Sequence, residues 1–242
     1  YDVNAVYGGG NMAHYKPHTS STKNYSATVI IDGCDRTSIR QVYGGGNAAT
    51  VPSTNVTVNG SFEIDELFGG GNGADQITYN EGATMLDNPG ANVGFYAYDS
   101  KYDSPEYTKE DRKQFQYGTG IASVNVFGGV VNHVFGGSNT KGNVRETAIT
   151  LLEEKTKGGT GEDAEDPKCP FQVGDVYGGG KSAPMDANAK MHMACIPGLR
   201  AAYGGAEKAD VVGGVTLNIT NGRFDRIFGG NNISGTIRGA IT

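Results

Sequence analysis

Tryptophan is absent from the 242-residue sequence, and no apolar run reaches the roughly 18 residues that a membrane-spanning helix needs. No membrane span is therefore expected. Clustered positive charge is also missing, since 26 acidic residues outnumber 20 scattered basic ones and give a net charge of −6. Because a phosphate backbone is bound by a clustered positive face, this composition disfavours nucleic acid as a partner.

Histidine and cysteine, which can bind metal ions, are scarce as well, with only four and three residues in the chain. His14 and His18 are four positions apart, but Pro17 disfavours the helix that would bring them to one face. Residues 70–78 match a calcium-binding nonapeptide once, whereas a calcium β-roll needs tandem copies. We expect no metal site and no cofactor, and calcium-dependent stabilisation would be the sign of an exception.

Glycine, by contrast, is abundant, with 39 residues, and much of it follows one motif. Eight times an aliphatic residue or alanine precedes an aromatic residue and then two glycines. A motif that recurs this often is an internal repeat, and the repeat decides the architecture. The aromatic positions are Tyr7, Tyr43, Phe68, Phe127, Phe135, Tyr177, Tyr203 and Phe228.

The spacing of the motif predicts a β-solenoid. Gly44 and Gly69 are 25 residues apart, Gly178 and Gly204 are 26 apart, and Gly204 and Gly229 are 25 apart. This period is shorter than the ~40 residues of a propeller blade and fits one solenoid coil. Longer gaps indicate insertions near residues 12–26, 73–121, 153–172 and 181–200, the last of which contains Met191, His192 and Met193.

Each repeat contains two strand patterns. In residues 54–60, apolar residues alternate with threonine and asparagine, so Val56 and Val58 should point inward and Thr57 outward. The same alternation predicts that Leu217 and Ile219 point inward. A shorter strand then leads to the aromatic residue. The following glycines either allow a positive φ or let neighbouring coils approach closely.

The repeated aromatics should form one row, because each falls at the same point of its coil. We favour a structural role over an exposed platform for sugars, since half the positions are phenylalanine. Asparagines after the glycines, such as Asn47 and Asn72, should form a hydrogen-bonded row at the corner. The better binding candidates are the insertion tyrosines Tyr96, Tyr98, Tyr102 and Tyr107, because loops on a rigid frame commonly carry binding sites.

No catalytic motif stands out. Acidic residues near the corners, such as Asp32, Asp65 and Asp175, do not form a cluster in the sequence and are typical of turns. Cys169 and Cys195 are 26 residues apart, one repeat, which leaves a disulfide between them open.

With these residues in view, the chain resembles the glycine-rich V-Y/F-G-G-G-N repeats of adhesin-like surface proteins of gut Bacteroidales. The strand at residues 54–60 and the segment Leu67-Phe68-Gly69-Gly70-Gly71-Asn72 carry the resemblance. It implies an all-β right-handed parallel β-helix, export to the cell surface or medium, and a role in display or attachment. It supplies no catalytic residues.

We therefore expect residues 1–242 to form a single β-helix unit, acting as a non-enzymatic adhesin or stalk that contacts glycan or a host surface. A polysaccharide lyase or glycoside hydrolase of β-helix type and a pure spacer are the alternatives. The sequence starts at Tyr1 inside one repeat and ends at the start of another. We expect a fragment of a longer protein, whose terminal coils meet flanking repeats or associate end to end.

Overall fold

The structure is a computed structural model that describes residues 1–17, 25–73, 77–78, 84–85, 91–96, 100–103, 106–153 and 170–242. Within these residues the fold is all-β, with one short helix, α1 (Lys109–Arg112), and two 3-10 turns, Ser100–Asp103 and Lys113–Phe115. The strands are β1 (Val3–Tyr7), β2 (Ala27–Ile31), β3 (Ser38–Tyr43), β4 (Thr54–Val58), β5 (Glu63–Phe68), β6 (Ile77–Thr78), β7 (Thr84–Met85), β8 (Ile121–Val126), β9 (Val130–Phe135), β10 (Glu146–Leu152), β11 (Gln172–Tyr177), β12 (Ala189–Ala194), β13 (Ile196–Tyr203), β14 (Val215–Ile219) and β15 (Gly222–Phe228).

Two parallel sheets contain all the described strands except the antiparallel pair β6–β7. The seven-stranded sheet has the order β1-β3-β5-β9-β11-β13-β15, and the six-stranded sheet has the order β14-β12-β10-β8-β4-β2. Apart from β6 and β7, successive strands along the chain therefore alternate between the two sheets. This alternation confirms the prediction of an all-β parallel architecture.

A third line of parallel contacts runs beside the sheets. It consists of single-residue bridges between residues that follow the glycine motifs, one from each repeat. Its members in order are Val51, Val93, Val144, Met185, Val211 and Ile237. The repeats that begin with β3, β5, β9, β11 and β13 each contribute one strand to each sheet and one residue to this line.

Alternating side chains form the core between the two sheets. Val56 and Val58 are fully buried there, as the alternation predicts, and Thr57 is partly exposed. Leu217 packs against the same core, but Ile219 is 40% exposed. β14 is an edge strand, and the backbone of Ala240 and Thr242 bonds to Val215 and Leu217, whereas Ile219 lies beyond these contacts.

The glycine motifs mark the closest approach of neighbouring repeats. A Cβ on Gly44 would clash with the carbonyl oxygen of Gly69, and a Cβ on Gly69 would clash with that of Gly136. Neither glycine has a positive φ. Of the two explanations that the sequence allowed, space rather than backbone conformation requires these glycines.

Seven of the eight repeated aromatics form one stack, which we call the aromatic stack. Adjacent ring centroids are 4.7–5.0 Å apart and the rings are within 12° of parallel. Its members are Tyr7, Tyr43, Phe68, Phe135, Tyr177, Tyr203 and Phe228. Phe127 is outside the stack, because it follows β8 in the six-stranded sheet, where its N–H donates to the Val58 carbonyl.

The prediction of an insertion at residues 181–200 is wrong. This segment contains β12 and the start of β13, and Met191 and Met193 are buried in the core between the sheets. The alternation of Ala189–Ala194 has the period of a strand but lacks the β-branched residues that usually mark one. The segments near 73–121 and 153–172 do separate regular strands, and β8 and β11 begin at their ends.

Replacement of Gly69 by alanine tests the close approach of the repeats. Because the added methyl would meet backbone that cannot rotate away, we expect Gly69→Ala to lower the free energy of unfolding by about 1–3 kcal/mol. Gly198→Ala is the matched control, since its Cβ would meet nothing within 4 Å, and it should change stability by no more than about 0.5 kcal/mol. Urea denaturation measures both. Equal stability of the two variants would contradict this account of the glycine motif.

Candidate functional site

A buried ion pair fixes the insertion between β5 and β8 to the sheets. Arg112 ends α1, and its Nε donates to Asp186 Oδ1 at 2.9 Å, with a second contact from Nη2 to the same oxygen. The Arg112 Nη1 group donates to the carbonyls of Tyr102 (2.8 Å) and Tyr107 (3.2 Å). The two charged side chains are 5% and 0% exposed. One guanidinium therefore holds several turns of the insertion against the frame.

Thr108 determines where α1 begins. Its side chain accepts a hydrogen bond from the Asp111 N–H, and the Asp111 carboxylate accepts one from the Thr108 N–H, which forms a capping box. The Thr108 hydroxyl also donates to the Asp111 carboxylate at 2.7 Å, and this bond, together with the one from the Thr108 N–H, holds the pKa of Asp111 below its usual value. Local sequence therefore determines where α1 begins, and the contacts of Arg112 at its other end fix the orientation of the helix.

An open cleft of about 610 Å³ lies between α1 and the six-stranded sheet. Three carboxylates line it, and each contacts a cation: Glu110 with Lys113 at 3.1 Å, Glu146 with Lys190 at 2.8 Å, and Asp186 with Arg112. The rest of the lining is mainly polar or basic and includes Thr108, Gln116, Thr119, Arg145 and Asn188. The cleft is thus polar with compensated charge.

Asp186 has unused hydrogen-bonding capacity. Its Oδ2 atom is buried and has no hydrogen-bond partner among the residues that the structure describes. This atom is thus an unpaired buried acceptor on a residue that lines the cleft.

Of the four tyrosines predicted to bind a ligand, the three that the structure describes differ in exposure. Tyr96 is 40% exposed, whereas Tyr102 and Tyr107 are half-buried and pack against each other with ring centroids 4.7 Å apart. Tyr102 also packs edge-on against Phe115 at 5.1 Å. Tyr98 lies outside the described residues. Tyr96 is therefore the described member of the set with an accessible ring.

Tyr96 rests on a second tyrosine that sequence reasoning missed. Its ring stacks on Tyr117, with centroids 4.2 Å apart and planes 12° from parallel. The Tyr117 hydroxyl donates to the Tyr15 carbonyl (3.2 Å) and can accept from the Thr50 hydroxyl, whose Oγ1 is 3.1 Å away. Burial raises the pKa of Tyr117 to about 12, so it stays neutral at physiological pH. The exposed ring thus has a rigid support.

The aromatic stack has no comparable exposed platform in its centre. Tyr43 and Phe68 are fully buried, and burial raises the pKa of Tyr43. The asparagines beside the stack form the predicted row, in which each amide donates to the amide of the preceding repeat. The contacts are Asn47 to Asn11 at 2.8 Å, Asn72 to Asn47 at 2.8 Å and Asn139 to Asn72 at 2.9 Å.

The weaker sequence candidates find little support. Asn72, part of the calcium-like segment, has its side chain engaged in the asparagine row, and residues 74–76 lie outside the described residues. Among described residues, no group of three or more acidic, histidine or cysteine side chains is placed to hold a metal ion. Cys195 is an exposed free thiol, so it is not bonded to Cys169, which lies outside the described residues.

Comparison of the chain with protein-family models, with curated proteins and with solved structures gave no match. In the described part of the chain, no helix has the length and apolar character needed to cross a membrane.

Removal of the Arg112 side chain should release the insertion. Arg112→Ala leaves Asp186 buried without its cation, so we expect a loss of about 3–5 kcal/mol in stability together with faster proteolysis within residues 73–121. Lys113→Ala is the neighbouring control, because its pair with Glu110 is largely exposed and should contribute little. Thermal denaturation and limited proteolysis report the two effects. An insertion that stays protected in Arg112→Ala would refute the anchoring role.

Proposed function

We propose that the chain is a right-handed parallel β-helix with coils of about 25 residues, exported and displayed as an adhesin-like stalk that binds glycan without cleaving it. The alternation of strands between two parallel sheets supports the helical winding. Right-handedness is supported by the general rule that crossovers between parallel strands of one sheet are right-handed in about 98% of cases. The resemblance to adhesin-like repeats supports surface display.

The observation that carries the binding proposal is the supported ring of Tyr96. One face of this ring is covered by Tyr117, while the side chain remains 40% exposed. A flat ring held in place can stack on the apolar face of a sugar with little loss of conformational entropy. The buried Arg112–Asp186 pair further fixes the insertion that contains Tyr96.

The neighbouring cleft offers the polar groups that sugar hydroxyls need. The backbone of Gln116 pairs with Phe95, immediately before Tyr96, and Gln116 also lines the cleft. Amide and hydroxyl side chains such as Gln116, Thr119 and Asn188 can both donate and accept hydrogen bonds. A glycan chain stacked on Tyr96 could therefore extend toward this cleft.

A polysaccharide-cleaving enzyme is the second candidate, and the three carboxylates of the cleft favour it. A typical glycoside hydrolase uses two such groups, one as an acid and one as a base or nucleophile. In this cleft, however, Glu110, Glu146 and Asp186 each contact a cation, so all three carboxylates are already engaged by the protein. Binding without cleavage is therefore the preferred proposal.

We also propose that the strands β14 and β15 meet further repeats or a second copy end to end. Their side chains Ile219, Ile227 and Phe228 are 40–44% exposed, whereas Phe135 inside the aromatic stack is 1% exposed. Phe228→Asp should reduce self-association by placing a charge on this apolar edge. Sedimentation velocity over a range of concentrations measures it, and a wild-type chain that stays monomeric throughout would remove the self-association proposal.

A glycan array that includes mucin and plant glycans tests the function directly, combined with an assay of the same glycans for newly released ends. We expect binding without new ends, and we expect Tyr96→Ala to weaken it about tenfold, or ~1.4 kcal/mol, through loss of the stacked ring. Tyr1→Ala is the control, because Tyr1 is also exposed, at 58%, but lies outside the insertion.

Three other results would change the proposal. New glycan ends would establish the enzyme and direct attention to the cleft carboxylates. An equal loss of binding in Tyr96→Ala and Tyr1→Ala would contradict a specific site on the insertion. Neither binding nor cleavage would leave a pure spacer as the function.

A further inference from the structure

The outer face of the seven-stranded sheet carries rows of polar side chains, and two glycines interrupt them. In the row that contains Asn132 and Arg200, the β11 position is Gly174. Beside Gln172 on β11, strand β13 has Gly198, in the segment where its register with β15 shifts. These two gaps lie on adjacent strands and form a single groove of about 590 Å³.

Gly198 lies within the shift of register between Ile196 and Leu199. Its φ is not in the positive range, and a Cβ at this position would meet no atom within 4 Å. Gly174 differs, since a Cβ there would clash with the Asn132 carbonyl. Gly198 leaves open space on the surface, and this space is part of the groove.

The groove walls supply both donors and acceptors at fixed positions. Arg200 donates two hydrogen bonds to Asp175, from Nε to Oδ1 at 2.8 Å and from Nη2 to Oδ2 at 2.5 Å. His133 lies beside the same carboxylate, with Nδ1 3.7 Å from Asp175 Oδ2. Such a bidentate pair is rigid and still has free N–H groups and lone pairs.

The groove has charges of both signs. The guanidinium of Arg200 is matched by Asp175, Asp225 adds a second carboxylate, and His133 stands between Glu66 and Asp175 in the strand register. An anionic ligand would meet these carboxylates, and a cationic ligand would meet Arg200. The groove therefore suits a neutral ligand that is rich in hydroxyl groups.

We infer that this groove is a second glycan site, which binds a neutral oligosaccharide chain along the outer face of the seven-stranded sheet. The inference rests on the proposed glycan-binding function but uses none of the insertion residues. Neighbouring sugar hydroxyls can accept from Arg200 and Asn132 while they donate to Asp225, which recognises hydroxyl pairs without any net charge.

The NMR signals of the His133 ring provide a local test, with the three other histidines of the chain as internal references. The probes are cellohexaose, xylohexaose and mannohexaose, with hexagalacturonate as the anionic comparison. We expect at least one neutral hexaose to shift the His133 signals, and hexagalacturonate to bind at least tenfold more weakly. Gly198→Trp should fill the groove and weaken the response at least tenfold, with an unchanged melting temperature.

Arg200→Ala serves as a second variant, because it removes the donors but leaves the space open. It should weaken binding of the neutral hexaose at least fivefold, whereas Tyr96→Ala should leave the His133 response unchanged. A His133 ring that responds to no neutral hexaose, or that responds more strongly to hexagalacturonate, overturns this inference. Either result stands apart from the array result for Tyr96, so the groove and the insertion site can fail separately.

Discussion

The close contact between glycine backbones of successive repeats is the constraint on which the rest of the structure depends. A Cβ at Gly44, Gly69 or Gly136 would overlap the carbonyl of the next repeat, so the backbones can approach only because these side chains are absent. The N–H of each of these glycines then donates to the backbone carbonyl of the aromatic residue in the next repeat at 2.8–2.9 Å. The hydrogen-bond ladder thus continues past the end of each strand.

This spacing makes the aromatic stack possible. Neighbouring strands in a sheet are about 4.7–4.9 Å apart, and the aromatic ring centroids are separated by 4.7–5.0 Å. Rings held parallel at this distance bury their faces against each other and leave no gap for water. Where the row reaches the edge of the sheet, Phe228 becomes 44% exposed, which shows how far the burial depends on a following repeat.

Sequence predicted the regular parts of the fold better than the site. The period-two alternation around Val56 and the recurring glycine motif depend on neighbouring residues, so one sequence is enough to read them. Phe127 was misplaced because its local motif resembles the others, although its strand lies in the other sheet. The strand with Met191 was missed because methionine lacks the branched shape typical of strands.

The Arg112–Asp186 pair could not have been predicted, since the residues are 74 positions apart and Arg112 is one of several charges in its segment. The support of Tyr96 by Tyr117 depends in the same way on how the insertion folds back on itself. Contacts of this kind have no local pattern, and only the three-dimensional arrangement of the insertion reveals them. Tyr98 falls outside the described residues and stays a prediction.

The asparagine row also has an electrical polarity. Asn47, Asn72 and Asn139 all donate toward the repeat that precedes them, so their amide dipoles point the same way and reinforce one another. The negative ends of these dipoles face the next repeat, where Lys181 stands in place of asparagine. The Lys181 ammonium group pairs with Glu66 on β5, so this side chain does not extend the row of amides. The corner of this β-protein therefore has a direction along its length, in addition to the direction of its strands.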